Sequence, residues 1–298
     1  MTRTQTQQPL IATVHGVRLP DGRTLDSLPG GSITSIHPDG DDLWALVGRR
    51  DLHRIHQGAT ELVARLDQPS GGVIGIHGGT VWVGGQDARV WRLDGDALVE
   101  ATSFQAAPTH AEWHTPWGGP PDVFTFASDG TRLYVSVHVG GILRTTDGTE
   151  WAPTIDLHDD VHQVAVGADG TVWAATGMRG LAESRDHGAT WRYHTRGLHA
   201  TYALAVAPLP HGALVAVSSG HAAKDGGVYR FDGERMTRSE DLPSDLGGAV
   251  GPRHLATSGE RGAVALPNGD VYVSDDAGVT WARAAEGLRP VRDVVFLD

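Results

Sequence analysis

Ser184-Arg-Asp186-His-Gly188-Ala-Thr190-Trp191 and Ser274-Asp-Asp276-Ala-Gly278-Val-Thr280-Trp281 are two copies of one pattern, S-x-D-x-G-x-T-W. Thr145-Thr-Asp147-Gly148-Thr-Glu-Trp151 repeats it one residue shorter. In a tight hairpin an aspartate accepts backbone N–H groups, and glycine supplies the positive φ that the turn requires. The tryptophan is then free to pack between neighbouring sheets. Asp147, Asp186 and Asp276 therefore read as structural.

Working outward from the Ser184–Trp191 copy gives a four-strand unit: Val161–Gly167, Thr171–Thr176, Leu181–Ser184 and Trp191–His194. The same order fits five further segments, with first strands beginning near Ser32, Gly72, Asp122, Tyr202 and His254. Steps of about 40 or 50 residues suit four-stranded blades. Val291–Leu297 looks like a first strand with nothing after it. Leu10–Val14, Gly16–Leu19 and Thr24–Leu28 look like second to fourth strands with nothing before them. Joining the two ends completes a seventh blade and removes the free sheet edge. The expected fold is a single all-β domain over residues 1–298, a seven-bladed β-propeller closed by a blade shared between the N- and C-terminal segments, with residues 1–9 flexible.

Composition narrows the function. Acidic side chains number 36 against 24 basic, a formal net charge of −12 without a basic block, so a nucleic-acid partner is not expected. The absence of cysteine removes disulfides, thiolate metal sites and a cysteine nucleophile. No apolar run has the length of a membrane helix or a signal peptide, so a cytoplasmic protein without a membrane partner is expected.

In a propeller the first strands line the axis, and the position opening them reads Ser32, Gly72, Asp122, His162, Tyr202, His254 and Arg292. A packing position would be apolar, yet five of these seven are ionisable. At the end of the second strands stand His15, Gly48, Gln86, His138, Gly177 and the irregular Ser218–His221. Neutral imidazole is the commonest protein ligand for first-row ions. His138, His162, His254 and His221 are thus candidate ligands for iron, manganese, nickel, copper or zinc, with Gln86 or Asp122 as an oxygen donor. Tyr202, Arg292, Arg253, Asp122 and Lys224 are candidate catalytic groups. Trp113, His114 and Trp117, on the long Gln105–Pro121 insertion, read as a stacking platform for a ligand, with Gln86 and Arg179 as further contacts. The other reading of the tryptophans is that they fill a gap between blades. His37, His53, His56, His77, His110, His158, His187, His194 and His211 read as surface residues.

The three hairpin motifs resemble the Asp-box, or BNR, repeat of sialidases, xyloglucan-degrading hydrolases, sortilin-type receptors and photosystem II assembly factors. Trp117-Gly-Gly-Pro-Pro and Val137-His138-Val-Gly-Gly-Ile142 are similar to bacterial sialidase-like, WD40/YVTN/BNR-like propellers. The resemblance implies a propeller whose boxes face away from the ligand. It does not extend to sialidase activity, because Arg54-Ile55-His56 lacks the proline of the sialidase Arg-Ile-Pro segment and no glutamate partners Tyr202. The histidine-rich axis resembles pectin-fragment lyases and carotenoid-cleaving oxygenases, which implies a metal-dependent lyase or oxygenase acting on a small molecule or carbohydrate acid. Two alternatives stand beside it. One is a metal-free glycoside hydrolase or lyase using carboxylates such as Asp122 and Asp160, with Glu112 as alternate. The other is a non-catalytic binding or assembly propeller.

Overall fold

The computed structural model describes residues 8–25, 31–115, 118–288 and 290–297. Six four-stranded antiparallel sheets follow one another along the chain, each meandering from the axis outward. Their first strands are Ile33–Asp39, Gly71–His77, Val123–Ser128, Val161–Val166, Tyr202–Pro208 and Leu255–Ser258, which open blades one to six. Blade seven joins Val291–Phe296 to Pro9–Thr13 and Gly16–Arg18. Its outer edge continues, among the described residues, only as the bridge between Arg18 and Thr24; the rest of the expected Thr24–Leu28 strand lies outside them. Pro9, expected in the flexible end, pairs with Phe296.

Alternating apolar strands leave each sheet with two buried faces, and the core fills the seams. The seam between blades two and three, for example, holds Trp82, Val90, Val123, Val135 and Trp151. Each hairpin motif is knit by its own side chains. Asp186 accepts Thr190 N–H at 2.8 Å and Thr190 Oγ1–H at 2.6 Å, while Ser184 Oγ accepts Gly188 N–H at 2.7 Å. Asp276, Thr280, Ser274 and Gly278 repeat this arrangement. In the shorter motif Asp147 accepts Thr149 N–H at 2.9 Å. A side chain at Gly278, where φ is +80°, would meet Leu214 Cδ2 at 2.5 Å. Trp281 seals the blade five–six seam with Leu214 and Val264.

The feature that positions the site is a bulge in the first strand. In six of the seven blades the pairing of first with second strand skips one residue: Thr34, Gly72, Phe124, His162, Leu204 and Arg292. A bulge leaves a backbone N–H without its ladder partner. The residue after the bulge in the preceding blade supplies one. Ser35 Oγ accepts Ile74 N–H, Thr125 Oγ1 accepts Val164 N–H, Gln163 Oε1 accepts Val206 N–H and Asp293 Oδ2 accepts Ile36 N–H. Polar residues inside apolar strands are thus blade-to-blade staples. His53 and His77, read as surface, are buried; His77 bonds Ser128 Oγ at 2.8 Å and the Thr146 carbonyl at 3.1 Å across to blade three.

Candidate functional site

All six bulge residues line one axial cavity of about 880 Å³. Ser32, Asp122, Asp160 and Tyr202 join them, and each stands two residues before a bulge, where a strand's period of two returns the side chain to the same face. The expected axial column thus mixes two rings. Gly72, His162 and Arg292 are bulge residues, whereas Ser32, Asp122 and Tyr202 belong to the ring above.

His138, Asp160 and His162 converge on the wall of this cavity, their ligating atoms all within 4.8 Å of one another. Asp160 Oδ1 lies 3.6 Å from His138 Nε2, and Oδ2 lies 3.5 Å from His162 Nε2. Ligands about 2.1 Å from a tetrahedral ion are about 3.4 Å apart, so this spacing fits a first-row cation. His162 Nδ1 donates to the Ala203 carbonyl at 2.7 Å. That carbonyl can only accept, so the proton sits on Nδ1 and the Nε2 lone pair points to the cluster, the orientation a metal-binding imidazole needs. Tyr202 Oη donates to this Nε2 at 3.2 Å. Phe124 stacks on His138 with ring centres 4.7 Å apart.

Two further observations bear on what the trio is built for. Asp160 Oδ1 is a buried oxygen with no hydrogen-bond partner, which costs folding free energy unless a proton or cation answers it. Gly177 cradles the same carboxylate: a Cβ there would lie 2.4 Å from Asp160 Oδ2 and 3.0 Å from His162 Cε1. The residues present fit a divalent cation.

Burial lowers the pKa of His138 and is opposed by Asp160, while His162 and His114 add to the lowering. Tyr202 is pushed up to about 12 by burial and then by the Asp160 charge, so it is a phenol at neutral pH. Burial raises the Asp122 carboxyl; Arg49 works against this and Asp87 with it.

Several expected members lie elsewhere. His254 does not line the cavity, because blade six begins without a bulge and Pro252 and Arg253 take its place on the wall. Its pKa is lowered to about 4, first by desolvation and then by the Arg253 charge. His221 lines the cavity but stands outside the His138–Asp160–His162 trio. Trp113 fills the blade two–three seam against Phe104, as the gap-filling alternative had it, and donates Nε1–H to Thr109 Oγ1. His114 is exposed beside it, bonded to the Glu112 carbonyl, and does not line the cavity. Trp117 falls outside the described residues. Arg179 is exposed, stacked over Tyr193 and 3.5 Å from Asp159, away from the cavity. Lys224 is exposed on a loop and does not line it either. Gln86, Asp122, Tyr202, Arg253 and Arg292 are cavity residues as expected. Asp160, set aside as a possible hydrolytic carboxylate, is the member of this trio that the sequence reading missed. Its position two residues before His162, matching Asp122 and Tyr202 in their blades, was the available signal.

The fold is that of the seven-bladed β-propellers. Among solved structures the chain is similar to the GH74 xyloglucanase from Xanthomonas campestris, with a TM-score of 0.69 and 17% identity over 94% of this chain and 53% of that one. It thus spans about half the length of the xyloglucanase. It is also similar to virginiamycin B lyase from Staphylococcus aureus, with a TM-score of 0.58 and 12% identity over 84% of this chain and 83% of that one. YCF48 from Cyanidioschyzon merolae gives a TM-score of 0.56 and 14% identity over 84% of each chain. These identities establish the fold and nothing finer. No family profile and no curated protein matches the sequence.

Proposed function

We propose that the chain is a metal-dependent enzyme of the lyase type, acting on a small molecule in the axial cavity, with the ion held by His138, Asp160 and His162. The observation that carries this reading is the unpartnered buried Asp160 Oδ1 between two imidazoles on a cavity wall. A divalent cation bound there supplies Lewis acidity, which eases proton removal beside a carboxylate or carbonyl.

The chain's own groups do the rest. Tyr202, kept protonated, donates a proton to the departing oxygen. Asp122, raised by burial on the same cavity, accepts the proton taken from carbon. Gly177 leaves room for Asp160, and the Ala203 carbonyl holds the His162 ring in orientation. An elimination suits a wall of phenol, carboxylate and guanidinium better than an oxygenation does. Substrate, ion and localisation belong to the same proposal: a transition-metal cation, a small polar or carbohydrate ligand, and the cytoplasm.

The test is elemental mass spectrometry on tag-free protein purified without chelating resin. Near-stoichiometric iron, manganese, nickel, copper or zinc, lost in Asp160→Asn, is the expected result. Metal-free protein, even after reloading, overturns the reading and leaves a metal-free carbohydrate enzyme or a binding propeller.

A further inference from the structure

The cavity is two-sided. Blades three to five contribute His138, Asp160, His162 and Tyr202, whereas Arg49, Arg253 and Arg292 enter from blades six, seven and one. Arg253 is the most constrained of the three. Its Nη1 donates to Asp293 Oδ2 at 3.1 Å, to the Thr34 carbonyl at 3.4 Å and to the Gly72 carbonyl at 3.5 Å. It also lines a second cavity of about 150 Å³ formed by the residues just past the bulges, so it forms the floor between the two. Asp293, buried beneath, accepts Ser35 Oγ–H and Ile36 N–H as well. Among the described residues Arg292 has no carboxylate within ion-pair distance, and Arg49 feels Asp122 only through space. Arg49 and Arg253 both hold left-handed backbone, with φ of 62° and 65°, as Asp160 does at 54°. Non-glycine residues in that region cost free energy and concentrate at functional sites.

Charge accounting gives the consequence. Three guanidinium groups, Arg49, Arg253 and Arg292, face three carboxylates: Asp122 and Asp160 on the wall and Asp293 under the floor. With each group counted at its ordinary charge, the three guanidiniums and three carboxylates balance; burial raises the Asp293 and Asp122 carboxyls, which works against the negative side of that balance. A divalent cation at His138, Asp160 and His162 leaves two positive charges in excess, in a partly desolvated space where such an excess is costly. We infer that the substrate is a small molecule carrying two anionic groups, one directed to the His138–Asp160–His162 side and the other held by Arg292 and Arg49 across the cavity. Guanidinium recognises carboxylate and phosphate by paired N–H donors, so either group serves. This inference rests on the metal reading given above.

The test is titration calorimetry on protein loaded with manganese and on chelator-treated protein, with succinate, phosphonoacetate and the singly charged succinamate as probes. Succinate or phosphonoacetate is expected to bind loaded protein at least about tenfold tighter than succinamate, and the tighter of the two tells which anion the arginines favour. In chelator-treated protein the preference collapses. Arg292→Gln, at an exposed position, is expected to remove most of the preference without loss of bound manganese; Arg292→Lys keeps part of it. Manganese-loaded protein that binds all three probes equally, or an unchanged preference in both Arg292→Gln and Arg49→Gln, overturns the inference while the metal site stands. Failure to retain any metal overturns the metal reading instead, and this inference with it.

Discussion

Asp186 and Asp160 are the same residue type on the same blade, held in opposite settings. Asp186 sits in an exposed hairpin, where Thr190 and Ser184 satisfy both its oxygens; its carboxyl is held down to about 2, most of all by the Thr190 hydroxyl. Asp160 sits on the axis in left-handed backbone, with one buried oxygen unanswered. The first arrangement is complete within its own turn and stabilises the fold. The second leaves one oxygen unbonded within the chain, and on that oxygen the proposed metal site rests. Satisfaction of hydrogen bonds, more than burial or residue type, separates the two.

The largest expected effect breaks the comparison in both directions. His162→Ala and Asp160→Asn should each empty the proposed metal site, reducing bound metal from the near-stoichiometric content expected there to less than about a tenth, with little loss in urea stability. Trp281→Ala, in the seam behind a hairpin, should do the reverse: about 3–5 kcal/mol of stability lost by urea titration, as for other buried tryptophans, with metal content unchanged per folded molecule. Equal losses of metal in both would remove the distinction. Glycine separates the regions next. Gly278→Ala forces a Cβ against Leu214 at positive φ and should cost about 1–3 kcal/mol. Gly177→Ala should instead displace the Asp160 carboxylate and weaken metal retention at least about tenfold, read by competition with a chelator.

Smaller effects appear with pH. The depressed pKa of His254 means that the unfolded chain binds its proton more readily. Its share of stability is present above about pH 6.5 and lost as pH falls through about 4. His254→Gln should flatten the loss of stability in that window and leave the proposed metal site unchanged, since His254 lies outside the His138–Asp160–His162 trio. The smallest effect is that of Asp186. With a folded pKa near 2, its stabilisation is present above about 3.8 and lost as pH falls through 2. The difference in Tm between wild type and Asp186→Asn should hold from pH 5 to 8 and shrink below pH 4.

The seven blades were legible because hairpin chemistry repeats: Ser184–Trp191 and Ser274–Trp281 mark the same turn, and each first strand was placed within a residue of its observed start. The cavity wall was only partly legible because it is made by bulges. A bulge shifts which side chains face the axis without altering the local apolar pattern. His162 and Arg292 could therefore be found, while Phe124, Leu204 and Asp160 hid one ring away from the alignment. His254 misled for the converse reason, since blade six lacks the bulge of its neighbours. Trp113 was ambiguous in principle, because a tryptophan on a long insertion packs a seam or a ligand equally well until partners such as Phe104 are seen.

Closure of blade seven ties the timetable of folding to the appearance of the site. Val291–Phe296 finds its partner Pro9–Thr13 nearly a whole chain away, among the described residues the longest-range strand pairing and the one with the greatest loop-closure cost. That strand also delivers Arg292 to the cavity wall and Asp293 to its floor. Until the ring shuts, Arg253 has no counter-ion and the arginine side of the cavity is missing a member. On the proposed function, a partly folded chain is therefore a poor binder, and capture of the proposed ligand reports that the ring has closed.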